Sequence, residues 1–198
     1  MAGDFKVTIR QSNTQRVEIK ADDNILPLIE TRVVDKGHGA TLEIGTRRGS
    51  SISPSERPQL TLEMPRLRAI DVAGAADMAV AAFKSEQIDV SVAGAGDLNF
   101  DQLDVDALKL SVSGKGDVHA AGHAKQLNIS ISGLGDISAP DLAGDDVNVS
   151  ISGAGNALVR AVRSLHVSLA GVGEVSYHGT PTLSTSISGI GTVKKLDH

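Results

Sequence analysis

The chain has 198 residues, enough for one domain with at most a small addition. It is 40% hydrophobic but only 2% aromatic, so its core must be built from Val, Ile, Leu and Ala. A formal net charge of −5 weighs against binding of a nucleic-acid backbone, and the lack of cysteine excludes disulfides, Cys-ligated metals and a thiol nucleophile.

The start of the chain carries no targeting signal that can be read from its composition. Residues 1–6 lack the charged and apolar regions of a signal peptide, and no segment approaches the ~20 apolar residues that span a bilayer. We therefore expect no transmembrane segment. Two alternatives stay open: a cytoplasmic protein, or a mature form with a replaced start.

Residues 1–66 alternate polar and apolar residues in short runs but contain no repeat. The runs at 5–9, 17–19, 41–44 and 60–64 are typical of strands, and a Ser/Pro-rich loop at 49–58 interrupts them. The first turn of a repeat array needs its open strand edges covered. We therefore predict a β-rich N-terminal cap, or degenerate first turns, over residues 1–66.

Residues 67–198 contain a repeat marked by a Gly-x-Gly-acid tetrad. The first glycines of successive tetrads are 20, 20, 19, 20, 18 and 18 residues apart. The seven tetrads begin at Gly74, Gly94, Gly114, Gly133, Gly153, Gly171 and Gly189. Such regular spacing indicates an array of stacked units, and we expect about seven turns.

Each tetrad follows a run in which apolar and polar residues alternate, which is typical of a strand with one buried face. The residues two positions before the first glycine are Val72, Val92, Val112, Ile131, Ile151, Leu169 and Ile187. A further inward position is expected nine residues after the glycine, at Phe83, Leu103, Leu142 and Val162.

A single turn of about twenty residues cannot bury its apolar face, whereas stacked turns place like residues over like at ~4.8 Å. The sequence therefore predicts an all-β fold: a right-handed parallel β-solenoid (β-helix) of 18–20-residue turns over 67–198, joined to the cap in one structural domain. Lys194, Lys195 and Asp197 place charge at the last strand edge, where charge protects against pairing.

The tandem Ser-Ile-Ser-Gly-x-Gly-Asp runs resemble the bacterial head GIN domain family, whose members are named as putative autotransporter adhesins. The resemblance is strong over residues 67–193 and loose over 21–26. It implies a β-helix-like domain, usually exported to the cell envelope, with no established catalytic residues. The chain departs from the pattern at Ala76, a glycine position, and at Asn156, Glu174 and Thr192, which are acidic positions.

The tetrad glycines are candidate structural residues of the corners. We expect them to supply positive φ in a tight turn, with the acid closing an Asx-turn. The pattern fits neither a dinucleotide fingerprint, which needs a third glycine and a helix, nor nine-residue calcium repeats. The corner glycines are Gly94, Gly96, Gly114, Gly116, Gly133, Gly135, Gly153, Gly155, Gly171 and Gly173.

Stacking would also align the tetrad acids about 5 Å apart, where neighbouring carboxylates repel by only ~0.8 kcal/mol in water. Backbone N–H groups can offset that repulsion, and Asn156 interrupts the column, which favours hydrogen bonding over metal binding. Asp97, Asp117 and Asp136 are weak candidates for holding a cation. No cofactor is predicted.

A column of serines faces outward: Ser91, Ser111, Ser130, Ser150 and Ser168. It is either an ordinary solvated strand surface or an interaction face, since small side chains let another surface approach closely.

Support for catalysis is thin, because 2% aromatic residues leave little to stack a sugar ring, and His119 and His123 complete no metal site or triad. We predict a non-enzymatic, adhesin-like protein of the cell envelope, periplasmic or extracellular by resemblance. Its solenoid face would meet a protein or glycan partner that the sequence does not identify, and not nucleic acid. The alternatives are a self-assembling scaffold like β-helical filament proteins and, below it, a polysaccharide lyase or hydrolase.

Overall fold

The structure is a computed structural model and describes residues 4–35, 39–47 and 56–196. Most of the expected 49–58 loop, and Asp197, lie outside the described residues. Within them the chain forms fifteen strands and one short 3-10 turn, Leu26–Leu28, and no α-helix. None of these elements is a helix that could cross a membrane. The predicted all-β class is confirmed.

The strands fall into two groups along the chain. The first group is β1 (Asp4–Gln11), β2 (Arg16–Lys20), β3 (Ile29–Asp35), β4 (Ala40–Thr46) and β5 (Gln59–Met64). The second is β6 (Ala69–Val72), β7 (Ala75–Val80), β8 (Phe83–Val92), β9 (Leu98–Val112), β10 (Val118–Ile131), β11 (Ile137–Ile151), β12 (Ala157–Leu169), β13 (Val172–His178), β14 (Thr182–Ile187) and β15 (Ile190–Lys195).

Successive strands of the second group pair in parallel, one repeat apart, so the predicted parallel β-solenoid is confirmed. Val92 pairs with Val112, and the same column continues through Ile131, Ile151 and Leu169. The coil makes about six turns rather than seven. The seven tetrads mark seven corners, and six complete turns lie between them, with β6 and β15 as partial turns at the two ends.

The inward columns form one continuous aliphatic core. Val92, Leu108 and Ile131 are each at most 1% exposed, and no described polar or charged residue is buried. One expected inward residue is wrong: Val162 is 51% exposed, and Ala161 is buried in its place. The pairing of β11 with β12 changes register in two places: residues 140–142 of β11 are skipped first, and then residue 145 of β11 and residues 162–163 of β12. Because this turn is shorter, a constant offset from the glycine fails.

The glycines are required at the corners for a reason other than the expected one. Of the ten corner glycines, Gly96 alone has a positive φ. A Cβ placed on any of the ten would lie only 1.8–2.2 Å from a carbonyl oxygen of the preceding turn. Stacked corners thus bring backbone onto backbone, and glycine is needed for that close approach.

The N-terminal strands extend the solenoid sheet. Strand β1 lies between β5 and β7 and is parallel to both, so that Val7 sits between Leu60 and Met78. Strand β2 pairs antiparallel with β5 and forms the edge, while β3 and β4 form a separate antiparallel hairpin. Ile44 of this hairpin is buried against the core. The division of the chain at residue 66 stays a prediction.

Candidate functional site

The serine column lies on the outer surface of the strands that precede the corners. Strand pairing aligns Ser91 with Ser111, and then Ser130, Ser150, Ser168 and Ser186 in succession. The last four are exposed and the first two half-buried. The alignment follows from the alternation of each serine with inward Val, Ile or Leu residues, because side chains of a strand point to opposite faces with period two.

A second polar column runs beside the serines, two residues earlier in each strand. It consists of Asp89, Lys109, Asn128, Asn148, His166 and Ser184. Asn148 Nδ2 donates a hydrogen bond to Asn128 Oδ1 at 3.0 Å. The two columns line a shallow groove of about 410 Å³. We call the two columns together the serine face; the sequence pattern predicted only the first of them.

The serine face offers hydrogen-bond donors and acceptors at the repeat of the stacked turns, ~4.8 Å. It has no aromatic platform, because the three Phe and the one Tyr of the chain are all buried. A partner would therefore be held by hydrogen bonds and close packing rather than by stacking on a ring. The strands that carry the face are already ordered, so binding would cost little conformational entropy.

The acids of the tetrads also stack, but their hydrogen bonds run between turns. Asp117 Oδ1 accepts from Asp136 N at 3.1 Å, and Asp136 Oδ1 accepts from Asn156 N at 2.7 Å. Asp77 Oδ1 accepts from Asp97 N at 3.4 Å, and Asn156 Oδ1 from Glu174 N at 2.9 Å. These contacts differ from the expected Asx-turn within one corner, because the nearest N–H group belongs to the neighbouring turn.

The guanidinium of Arg57 lies at the N-terminal end of the acid column. Arg57 forms ion pairs with Asp4 on β1 and Asp77 on β7. Its hydrogen bonds to Asp4 and then to Asp77 raise the pKa of Arg57. Across the described ranges, no group of three or more His, Asp or Glu side chains is arranged to hold a metal ion. Asp97, Asp117 and Asp136 are aligned, but each is solvated on the outside of the corner.

A third surface carries a ladder of opposite charges that was not among the sequence-based predictions. Lys84 Nζ lies 2.8 Å from Asp104 Oδ2, and Lys125 Nζ lies 2.6 Å from Asp106 Oδ1. The hydrogen bond from Lys84 lowers the pKa of Asp104 and raises that of Lys84, and the bond to Asp106 raises the pKa of Lys125. The sequence contains a signal for this ladder, because the paired residues carry opposite charges and are about one repeat apart.

The ladder continues toward the C-terminal end. His123 Nε2 lies 3.5 Å from Asp145 Oδ1, and Arg163 lies 2.6 Å from Asp146 and 3.8 Å from Asp145. His123 thus has a carboxylate neighbour, while His119 lies on a different strand position and does not join it. Because these pairs are exposed, each contributes little to the stability of the fold.

A wide cleft of about 2260 Å³ separates the β3–β4 hairpin from the first turns. Its walls include Arg32 and Val33 of the hairpin and Asp89, Asp104 and Lys125 of the solenoid. Both signs of charge are present, so the cleft shows no preference for an anionic or a cationic ligand. It arises from the way the hairpin stands against the coil, which no local sequence pattern reveals.

Comparison with known proteins agrees with this architecture. A family model described as "Putative auto-transporter adhesin, head GIN domain" matches residues 1–181. Among solved structures, a putative adhesin from Bacteroides fragilis is 27% identical, with a TM-score of 0.93 over 98% of this chain and 89% of that chain. None of the curated proteins matches the chain.

Two further solved structures share the fold at lower identity. A putative adhesin from Parabacteroides merdae is 21% identical, with a TM-score of 0.74 over 99% of this chain and 90% of that one. A putative lipid binding protein from Parabacteroides distasonis is 19% identical, with a TM-score of 0.68 over 99% and 90% of the two chains. Likeness at this level shows the fold alone.

Proposed function

This chain belongs to the head GIN domain family, and from that premise we propose that it is a non-enzymatic, adhesin-like protein of the bacterial cell envelope. The serine face is the surface that engages its partner, a protein or a polar glycan. The family and the Bacteroides fragilis structure are both described as putative adhesins, which supports a binding role at the cell surface.

The observation that carries the proposal is the alignment of two polar columns on consecutive turns. Ser130, Ser150 and Ser168 stand beside Asn128, Asn148 and His166 on a surface that the strands keep rigid. Each turn contributes a similar set of polar groups, so a partner with a comparable repeat can bind several turns at once. Individually weak contacts then add, because one turn's binding holds the partner beside the next.

The shape of the face favours binding over catalysis. The groove is shallow, and the chain has no exposed aromatic residue to hold a sugar ring against a catalytic group. Enzyme sites for small ligands are usually concave and bury most of the ligand. These features support the non-enzymatic assignment over a polysaccharide lyase or hydrolase.

Substitution within the groove tests the assignment. Wild-type protein is screened on arrays of glycans and extracellular-matrix proteins, and Ser130→Arg is compared with it on every ligand that binds. An arginine there projects from the flat face and should weaken binding at least about tenfold, a loss of roughly 1.4 kcal/mol. Ser138→Arg, on the strand after the next corner, is the matched control and should bind like wild type.

Two results would contradict the proposal. Unchanged binding by Ser130→Arg would mean that another surface meets the partner. A failure of the wild-type protein to bind any glycan or matrix protein would remove the adhesin-like function itself. Turnover of a polysaccharide substrate would instead favour the enzymatic alternative.

The envelope location is tested separately. Protease added to intact producing cells should degrade an extracellular protein, and mild release of the periplasm should free a periplasmic one. Recovery of the protein only from the cytoplasmic fraction would refute this part of the proposal.

A further inference from the structure

The last turn of the solenoid, as far as residue 196, leaves one strand edge uncovered. Strand β14 pairs with β12 on one side, and no described strand lies on its other side. Leu183 and Ile187 occupy inward columns whose residues in the previous turn, Leu165 and Leu169, are fully buried. They are 42% and 46% exposed, and so two apolar side chains of the core meet solvent at this end.

The backbone of β14 is open in the same direction. In earlier turns, the inward residue two positions before the first tetrad glycine accepts a backbone hydrogen bond from the following turn. Val92 O accepts from Ser113 N at 2.8 Å, and Leu169 O accepts from Ser188 N at 2.9 Å. Ile187 occupies this column in the last turn. Since bonding alternates along a parallel strand, the N–H and carbonyl groups of Leu183, Thr185 and Ile187 face the open edge.

The sequence of β14 matches itself when it is reversed. Leu183-Ser184-Thr185-Ser186-Ile187 reads apolar, Ser, Thr, Ser, apolar in either direction. Thr185 is at its centre, in a column that is apolar in every earlier turn, for example at Leu110 and Val167. A strand that pairs antiparallel with its own copy places each residue opposite its mirror position, so with this sequence apolar residues meet apolar residues and Thr185 meets Thr185.

We propose that β14 pairs antiparallel with β14 of a second copy about a two-fold axis at Thr185, which joins two solenoids at their C-terminal ends. Leu183 of one copy then lies opposite Ile187 of the other, and Thr185 lies opposite Thr185. All three pairs are made by edge-facing residues, so each exchanges two backbone hydrogen bonds. The apolar pairs continue the core across the junction, and the Thr pair adds a favourable cross-strand contact.

The lack of charge on β14 itself permits the pairing. Exposed edge strands are normally protected by charged residues, but β14 has none among its six residues. The two lysines expected to protect the end, Lys194 and Lys195, lie on β15 instead. Six paired residues make a small contact, below the ~1,200 Å² typical of stable interfaces, so the dimer should form in a concentration-dependent way.

Disulfide trapping tests the register directly, because the chain has no cysteine of its own. In the double variant Ser184→Cys/Ser186→Cys, position 184 of one copy lies opposite position 186 of the other in a non-hydrogen-bonded pair with Cα atoms ~4.5 Å apart, which suits a disulfide. Mild oxidation should give a covalent dimer of about 41 kDa, twice the 20.5 kDa chain. Ser184→Cys is the matched control: its two copies would be roughly 8 Å apart and facing outward, too far to bridge, and should stay monomeric.

Light scattering on the unmodified chain gives an independent measurement. Wild type should shift from monomer to dimer mass as concentration rises, Thr185→Lys should remain a monomer because two ammonium groups would meet, and Ser184→Lys should still dimerise. A wild-type monomer at all concentrations, a dimer that survives Thr185→Lys, cross-linking of both cysteine variants or of neither, or open-ended polymers would each overturn the proposal.

Discussion

Substitution of one corner glycine by alanine tests why glycine recurs in this chain. Gly135 has no positive φ, so alanine there meets no backbone strain of its own. Its new Cβ would instead lie 2.1 Å from the carbonyl oxygen of Gly116 in the preceding turn. An ordinary contact of this kind is at least about 3.4 Å, so the two turns must separate locally by about 1 Å.

The structure indicates what that separation costs. Leu134 N donates to Gly114 O at 2.9 Å, and Gly116 N donates to Leu134 O at 3.2 Å. Weakening these two bonds costs about 1 kcal/mol each, and overpacking costs about 1–3 kcal/mol with some overlap. We expect Gly135→Ala to lower the free energy of unfolding by about 2–4 kcal/mol. For a chain of this size that lowers Tm by about 4–16 °C.

Urea unfolding and thermal melts followed by circular dichroism measure the effect. Leu134→Ala is the control: it changes the adjacent residue of the same corner, whose side chain is 57% exposed, and should change stability by less than about 0.5 kcal/mol. If Gly135→Ala is as stable as this control, close approach of stacked backbones is not the reason for glycine at the corners.

Three other predictions concern charged and polar contacts. Asn156→Asp removes the amide that donates to Asp136 at 3.0 Å and adds a carboxylate to the acid column. The Tm of the variant should therefore be lower than that of wild type. The difference in Tm should become smaller in 1 M salt, because salt screens the repulsion between carboxylates. Lys84→Met should raise the pKa of Asp104 toward its ordinary value, as read by NMR titration of the carboxyl carbon, because Lys84 is the largest cause of the lowering. Since the pKa of Asp104 is lowered in the folded state, the contact with Lys84 favours folding at pH values above the ordinary pKa of an aspartate. This contribution is lost as the pH falls through the lowered pKa. The free energies of unfolding of wild type and Lys84→Met, plotted against pH, should therefore converge at low pH. Arg57→Gln removes the ion pairs to Asp4 and Asp77 at a half-exposed site, so it should lower the free energy of unfolding by at most about 1 kcal/mol. Backbone hydrogen exchange should rise more in β1 than in β11. An equal rise in both strands would contradict the assigned role of Arg57.

Much of the serine face could be predicted from the sequence. Strand alternation and a near-constant repeat place Ser130 over Ser111 without any structure, because both periods are local properties of the chain. The neighbouring column of Asn128, Asn148 and His166 follows the same periods. Its residues differ in type, however, so the column does not show in the sequence as a repeated residue. The same is true of the charge ladder, where Lys84 and Asp104 are complementary rather than alike.

The order of the N-terminal strands could not be predicted in this way. Strand β1 lies between β5 and β7, although β5 and β7 are close in the chain, with only the short strand β6 between them. Nothing in residues 1–66 repeats, and so no period specifies which strand is adjacent to which. Long-range pairing of this kind depends on which apolar surfaces the rest of the fold leaves uncovered.

The sequence by itself determined the class of fold, the alternation of inward and outward residues and the positions of the corners. Only the tertiary structure decided the partners: that a tetrad acid bonds to the next turn, that a corner glycine touches the backbone before it, and that Leu183 and Ile187 end the core uncovered. The physical reason is one of distance along the chain. Side-chain direction is set by neighbouring residues, whereas a contact is set by whatever the folded chain brings alongside.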